Sequence, residues 1–105
     1  MDKERRCIIL ERDFQKTFIA NVKTILPNCI VLKNDSKQLQ GIPDWLITDE
    51  GIAMFFEIKI SQHAARQPNQ EYYINYINEH NGYARFVYPE NMEEILNEIQ
   101  RTFGA

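Results

Sequence analysis

The sequence predicts an α/β fold in which helices flank a four-stranded mixed sheet, in the order α-β-β-β-α-β-α. Two observations predict this fold. Segments with apolar residues every three or four positions alternate with short β-branched runs. Three strand-like runs are consecutive, and a helical segment separates the third from the fourth, as in a crossover connection. A chain of 105 residues is expected to form a single domain, 1–105.

The first helix is expected over residues 8–26, because its apolar side chains follow a helical period that ends at a proline. A short β-branched run then predicts a strand over 29–32, and the polar stretch 33–42 is typical of a loop. The helical period and its stop are given by Phe14, Phe18, Val22, Ile25 and Pro27.

The next two strands, 44–48 and 52–60, flank a turn in which Gly51 can adopt positive φ. With a two-residue turn, counting along the strands places Asp44 directly opposite Glu57. A three-residue turn shifts the pairing by one, so the register stays open at this point. Like charges that face each other across strands are destabilising unless a cation lies between them. Carboxylate oxygens suit Mg²⁺ or Mn²⁺ in that position.

The remainder of the chain predicts two helices and one strand. Residues 61–68 are irregular, and a helix over 69–81 begins after a proline and stops at a glycine. A fourth strand is expected over 83–88. Asn91, with a glutamate three residues later, is typical of the start of a last helix that reaches Phe103.

Composition and charge do not identify a partner. Hydrophobic residues make up 44% of the chain, so a packed core is expected. No apolar run approaches the ~18 residues that span a bilayer. Cys7 and Cys29, each beside apolar residues, indicate buried thiols in a reducing cytoplasm. The formal charge is -3, but residues 1–89 carry eleven acids and eleven bases, so a nucleic-acid partner is not excluded.

Three charged residues occupy positions that call for a reason. Glu11 falls inside the apolar stripe of the first helix, where an unpaired charge is costly to bury. The alternative is that Glu11 lies in a frayed first turn, where an acid suits the helix dipole. Glu57 and Lys59 share one strand face and alternate with apolar residues, which is also what a solvated strand face shows.

A glycine-x-proline-aspartate turn precedes an E-x-K strand, and a glutamine opens the next helix. This arrangement resembles the PD-(D/E)xK nuclease superfamily, which has the restriction-endonuclease-like fold, and more narrowly its VRR-NUC branch. The resemblance extends over residues 8–88. It is carried by Glu11 and Gln15, by Gly41, Pro43 and Asp44, by Glu57, Ile58 and Lys59, and by Gln70.

The resemblance implies metal-assisted hydrolysis of phosphodiester bonds in DNA. Asp44, Glu57 and the main-chain carbonyl of Ile58 would hold one Mg²⁺ ion, for which Mn²⁺ would substitute. Glu11 would bind that ion through water or hold a second one. Lys59 would position or activate the attacking water.

The resemblance also implies a role for Gln70, which would orient the water or the phosphate.

The resemblance implies a kind of substrate as well. Stand-alone domains of this branch are similar to phage and bacterial junction resolvases, so branched DNA such as a four-way Holliday junction is the expected substrate. A homodimer in the cytoplasm of a bacterial or phage-infected cell is expected with it. The helix over 69–81 and the last helix are the candidate dimer surfaces.

DNA contacts are expected from basic residues in irregular segments, namely Lys33, Lys37 and Arg66, with Arg85 as a further candidate. Each of them can equally be a plain surface charge. His63 and His80 are interpreted as surface residues because no second soft ligand lies at a suitable spacing. Three tyrosines of the helix over 69–81 are interpreted as packing residues rather than base-stacking platforms: Tyr72, Tyr73 and Tyr76.

Two other functions compete with the nuclease. One is a catalytically inactive nucleic-acid-binding protein on the same fold, against which the complete set Asp44, Glu57 and Lys59 argues. The other is a small interaction protein whose acidic residues mimic DNA. That protein would need no metal, and its negative charge would spread over one face.

Overall fold

The computed structural model describes residues 3–35 and 37–104, the first seven of these by their backbone alone, so the thiol of Cys7 lies outside what is described. The order of elements is the predicted one, and the predicted α/β architecture is confirmed. No helix in this part of the chain has the length and apolar character needed to cross a membrane. The elements are α1 (Lys3–Ile25), β1 (Ile30–Lys33), β2 (Trp45–Asp49), β3 (Ile52–Ile58), α2 (Gln70–Glu79), β4 (Tyr83–Val87) and α3 (Met92–Phe103).

The four strands form one sheet in the order β1-β2-β3-β4. β1 pairs antiparallel with β2, and β2 pairs antiparallel with β3. β4 lies beside β3 and is reached through α2, which is the crossover that parallel neighbours need. The sheet is therefore mixed, as predicted.

Most element boundaries differ from the sequence prediction by one or two residues, and the start of α1 differs by five. α1 begins at Lys3 rather than at residue 8. The charged residues before residue 8 show no apolar period, yet Lys, Glu and Arg are good helix formers, so the helix extends through them. β3 ends at Ile58 rather than at Ile60, because the chain bends at Ile60. The last hydrogen bond before this bend is donated by the Lys59 N–H to the Val87 carbonyl at 2.8 Å.

The β2–β3 turn has two residues, as the sequence favoured. Glu50 and Gly51 both have positive φ, at 49° and 83°. Positive φ at both central residues matches the twist of the flanking strands. Asp49 pairs with Ile52, so the two-residue register is confirmed and the three-residue alternative is wrong.

The chain divides into two compact units. The first contains α1, Ile58–Ala64 and the chain from Val87 through α3. The second contains Asn28–Glu57 and Ala65–Phe86. The expected single domain therefore stays a prediction. In the first unit α1 packs against α3, and its buried apolar side chains include Phe18, Val22, Ile95 and Ile99.

In the second unit the two faces of the sheet differ. Ile47, Met54 and Phe56 are buried on one face, and the Phe56 ring meets Tyr83 edge-on with centroids 5.9 Å apart. The opposite face carries exposed Ile30 and Leu32, half-buried Leu46 and Phe55, and, one position farther along, Asp44 and Glu57. The candidate acidic residues therefore lie on the face of this sheet whose apolar side chains are less buried.

Candidate active site

Asp44 and Glu57 face each other across β2 and β3. The register pairs Trp45 with Phe56, which places the preceding Asp44 opposite Glu57. The Asp44 N–H donates to Glu57 Oε2 at 2.9 Å. Glu57 is only 3% exposed and Asp44 is half-buried. The predicted pairing of the two carboxylates is confirmed, and the alternative in which Glu57 is a solvated strand residue is wrong.

Gln70, the first residue of α2, also contacts Glu57. Its Nε2 donates to Glu57 Oε1 at 2.7 Å, and its own Oε1 accepts the Gln67 N–H at 2.8 Å. These two bonds fix which end of the amide faces the carboxylate. Gln70 is 7% exposed, and its bond to Glu57 is buried, whereas the bond from the exposed Gln67 is partly buried. Both oxygens of Glu57 thus accept hydrogen bonds, one from each of two separate segments.

Gly41 brings the turn before Asp44 against the start of α2. Its φ is 91°, a conformation that favours glycine. A Cβ on Gly41 would lie 2.6 Å from Asn69 Cβ and 2.8 Å from the Pro68 carbonyl oxygen. Only a residue without a side chain permits this approach. Gly41 therefore allows the Asp44 N–H, after the turn, and the Gln70 side chain, at the start of α2, to reach the same carboxylate, that of Glu57.

Sequence reasoning missed one further residue at this site, Asn34. Its N–H donates to the Asp44 carbonyl at 2.7 Å, and its Nδ2 donates to the Pro43 carbonyl at 2.8 Å. Asparagine is common in polar loops, and Asn34 stands in the stretch that the sequence assigned to a loop. Its contacts become visible only when the neighbouring strand is in place.

The donor set fits a hard divalent cation in its chemistry. Asp44 and Glu57 supply carboxylate oxygens from one sheet face. Mg²⁺ is commonly bound by one or two carboxylates and keeps several waters for its other positions. Across the described residues, no group of three or more His, Cys, Asp and Glu side chains is arranged to hold a metal ion. A metal here would therefore depend on the carboxylate pair, main-chain oxygens, water and substrate.

The other residues that the sequence assigned to the metal and the water belong to the first unit. Glu11 is half-buried and lies eight residues beyond the start of α1, so the first-turn alternative is wrong. Ile58 is buried, and Lys59 follows it directly, half-buried at the end of β3. The roles of these three residues stay predictions.

Three of the four basic candidates for DNA contact are exposed, and each has a neighbour, whereas Arg85 is half-buried and its Nη1 donates to Asn78 Oδ1 at 2.9 Å. Lys33 places its Nζ 5.2 Å from the centre of the Trp45 ring, and the Lys37 N–H donates to Asp35 Oδ1 at 2.9 Å. The Arg66 guanidinium lies 3.9 Å from the Phe86 ring centre, and its Nη1 is 3.6 Å from Glu71 Oε2. The positive charge of Arg66 is thus offset in part by Glu71.

The exposure of the histidine and tyrosine side chains tests how the sequence interpreted them. His63 and His80 are exposed, so their interpretation as surface residues is confirmed. Tyr72 and Tyr76 are 59% and 47% exposed, so their interpretation as packing residues is wrong. The buried side of α2 is set by Gln70 and Ile74. Residues two positions farther along point about 200° away from those on a helix. Tyr73 is half-buried.

Comparison with known proteins identifies the fold. No family model and no curated protein matches the chain. A solved structure described as a VRR_NUC domain superposes with a TM-score of 0.67 over 90% of this chain and 97% of that one, at 18% identity. The chain therefore has the VRR-NUC fold, as the resemblance predicted.

Proposed function

We propose that this chain is a metal-dependent DNA endonuclease that hydrolyses phosphodiester bonds. One observation carries the proposal: two carboxylates, Asp44 and Glu57, face each other on neighbouring strands of a VRR-NUC fold. Burial of Glu57 in this position is costly without compensation by cations or donors. A cation bound by the two carboxylates would compensate the free-energy cost of burying Glu57.

In the proposed reaction Asp44, Glu57 and the Ile58 carbonyl would hold Mg²⁺, or Mn²⁺ in its place. A metal ion bound there would supply a water of lowered pKa and positive charge to offset the phosphate. Glu11 would hold a water of the same ion or a second ion. Because Asp44 and Glu57 share one sheet face, their oxygens can point toward a common position.

The remaining roles concern the water and the phosphate. Lys59 positions or activates the attacking water and offsets charge on the phosphate. Gln70 keeps the Glu57 carboxylate in place with its 2.7 Å hydrogen bond, and it also orients the water or the phosphate. Since Gln70 Oε1 is occupied by the Gln67 N–H, the amide presents its donor end to the site.

The proposed substrate is branched DNA, in particular a four-way junction, cut by a homodimer in the cytoplasm. Two symmetric strands can be cut when two copies of the site are related by a two-fold axis. Lys33, Lys37 and Arg66 are the proposed backbone contacts, since exposed cations bind phosphate oxygens without reading sequence. The surfaces of α2 and α3 are the proposed dimer contacts.

A catalytically inactive nucleic-acid-binding protein on the same fold is the second candidate. Its supporting observation is that both Glu57 oxygens accept protein hydrogen bonds, at 2.9 and 2.7 Å. A carboxylate held in this way can join β2, β3 and α2 without a metal. This candidate predicts folded protein that binds DNA equally well with Mg²⁺ or with EDTA.

The test is cleavage of labelled four-way junction, flap and linear duplex DNA in Mg²⁺, Mn²⁺ or EDTA. Wild type is compared with Glu57→Gln, which removes the charge and keeps the shape. Glu50→Gln is the matched control, because Glu50 is exposed in the β2–β3 turn, outside the proposed dimer contacts. We expect metal-dependent cutting by wild type and the control, and a loss of at least about 100-fold in Glu57→Gln.

Cleavage that persists in EDTA or in Glu57→Gln would contradict the proposed metal site. Binding of folded wild type to DNA without any cutting would favour the second candidate. A preference for the junction over the linear duplex of the same sequence would support the proposed substrate, and equal rates would overturn it.

A further inference from the structure

We propose that Asn34 is a positioning residue of the candidate site, which holds the Pro43–Asp44 peptide so that its N–H is directed at Glu57. The inference rests on the proposed function, because it deepens the account of the same site. It assigns Asn34 no contact with metal, water or substrate.

The first observation is that Asn34 continues the sheet ladder one position beyond β1. β1 and β2 pair Lys33 with Trp45, and the next step brings the Asn34 N–H to the Asp44 carbonyl at 2.7 Å. Residues directly opposite each other in a ladder share a face. Asn34, Asp44 and Glu57 thus form one row across three strands, on the face that carries the carboxylates.

The second observation is that the Asn34 side chain reaches the same peptide group that binds Glu57. Its Nδ2 donates to the Pro43 carbonyl at 2.8 Å. The N–H on the other side of that peptide bond, which belongs to Asp44, donates to Glu57 Oε2 at 2.9 Å. The peptide is planar, so a donor on its carbonyl constrains the direction of its N–H. Polarisation of the carbonyl also strengthens the N–H as a donor.

Two series of hydrogen bonds therefore converge on Glu57. One runs from Asn34 through the Pro43–Asp44 peptide to Oε2. The other runs from the Gln67 N–H through the Gln70 amide to Oε1. Asn34 supplies the first donor of one series, as the Gln67 N–H does in the other.

Asparagine suits this place because its amide supplies the donor at the required length. Asn34→Asp keeps the shape and the main-chain bond to Asp44 but offers only acceptors to the Pro43 carbonyl. Asn34→Ala removes the side-chain bond altogether. Both variants are expected to loosen the peptide while leaving Asp44 and Glu57 themselves intact.

The matched control is Asn21→Ala. Asn21 also uses its side-chain amide to bind a main-chain carbonyl, because its Nδ2 donates to the Thr17 carbonyl at 2.9 Å. It is exposed on α1, outside the two helices that are the proposed dimer contacts. Loss of its bond removes a contact of the same kind and leaves the donor to the Pro43 carbonyl in place.

The experiment measures two properties of the whole chain. The first is the solvent-exchange rate of the Asp44 amide proton by NMR, without metal or DNA. The second is the Mg²⁺ concentration that gives half-maximal cleavage of a four-way junction. We expect both Asn34 variants to speed the exchange at Asp44 and to raise the Mg²⁺ requirement about 10-fold. We expect Asn21→Ala to change neither property beyond its effect on global unfolding.

The outcomes separate this inference from the proposed function. Unchanged Asp44 exchange in both Asn34 variants would overturn the inference, whatever the activity. Faster exchange with an unchanged Mg²⁺ requirement would show a structural bond with no effect on the site, which also overturns it. Faster exchange in a chain whose wild type never cleaves DNA would support the positioning geometry and contradict the proposed nuclease.

Discussion

Gly41 and Gly51 lie at opposite ends of the β2–β3 hairpin, and both have positive φ, 91° and 83°. Around Gly51 the space is open, since a Cβ there would meet nothing within 4 Å. Around Gly41 a Cβ would come within 2.6 Å of Asn69. The two glycines share a conformation but differ in their surroundings.

The difference separates a local requirement from a tertiary one. Gly51 completes a two-residue turn, and the hairpin alone needs it. Gly41 permits two segments that are distant in sequence to touch, and it is followed within three residues by Asp44. A glycine at the acidic end of the hairpin thus serves the assembly of the candidate site, whereas the other serves only chain reversal.

The largest expected effect is that of Gly41→Ala. The new Cβ adds backbone strain and must displace the backbone at Asn69, so the start of α2 moves and Gln70 leaves Glu57. We expect a loss of about 2–5 kcal/mol in the free energy of unfolding. Urea denaturation measures it. Cleavage should fall together with stability.

A second substitution sharpens this prediction. Asn69→Gly removes the nearest contacting atom and also relieves a positive φ of 72°, but the Pro68 carbonyl oxygen at 2.8 Å remains. The double variant Gly41→Ala, Asn69→Gly should recover only part of the lost stability. Full recovery would mean that side-chain crowding alone, without the backbone, makes glycine necessary at Gly41.

Gln70→Leu is expected to have the next largest effect. It leaves the buried Glu57 Oε1 without its 2.7 Å bond and the partly buried Gln67 N–H without its acceptor. An unsatisfied buried polar group costs about 1–3 kcal/mol. Gln100→Leu, at an exposed position of α3, is the control. Equal midpoints of urea unfolding for the two variants would show that the Glu57 contact adds no stability.

Gly51→Ala is expected to cost less than either change near Asp44. Only the strain of positive φ is added, which is about 1–2 kcal/mol for an L side chain. Thermal unfolding at several urea concentrations measures the change. Cleavage of DNA by the folded fraction should stay at the wild-type rate. A loss of activity larger than the loss of folded protein would mean that the turn affects the geometry of Asp44 and Glu57 at the other end of the hairpin.

The smallest expected effect is a gain in stability from Glu50→Asn. Glu50 has φ of 49°, which asparagine tolerates better than glutamate, and Asn-Gly is a preferred pair for such turns. We expect the free energy of unfolding to rise by about 0.5 kcal/mol. A decrease measured in the same urea titration would indicate that Glu50 makes a contact that the turn geometry does not require.

Much of the fold could be predicted because it depends on neighbours in sequence. Helix and strand periods gave the order of elements, and the two-residue turn gave the register that puts Asp44 opposite Glu57. The start of α1 at Lys3 was missed because polar helix formers carry no apolar period. The outward direction of Tyr72 was missed because periodicity alone does not say which helix face is covered.

The sequence by itself determined the hairpin and favoured the facing carboxylates, because a two-residue turn at Glu50 and Gly51 puts Asp44 opposite Glu57. The structure decided the register, since Asp49 pairs with Ile52. Only the tertiary structure decided what holds Glu57. The hydrogen bond from Gln70 spans thirteen residues, and the one that Asn34 makes to Pro43 spans nine. No local pattern encodes such contacts. They form only where packing, such as the approach of Gly41 to Asn69, brings separate segments within about 3 Å of each other.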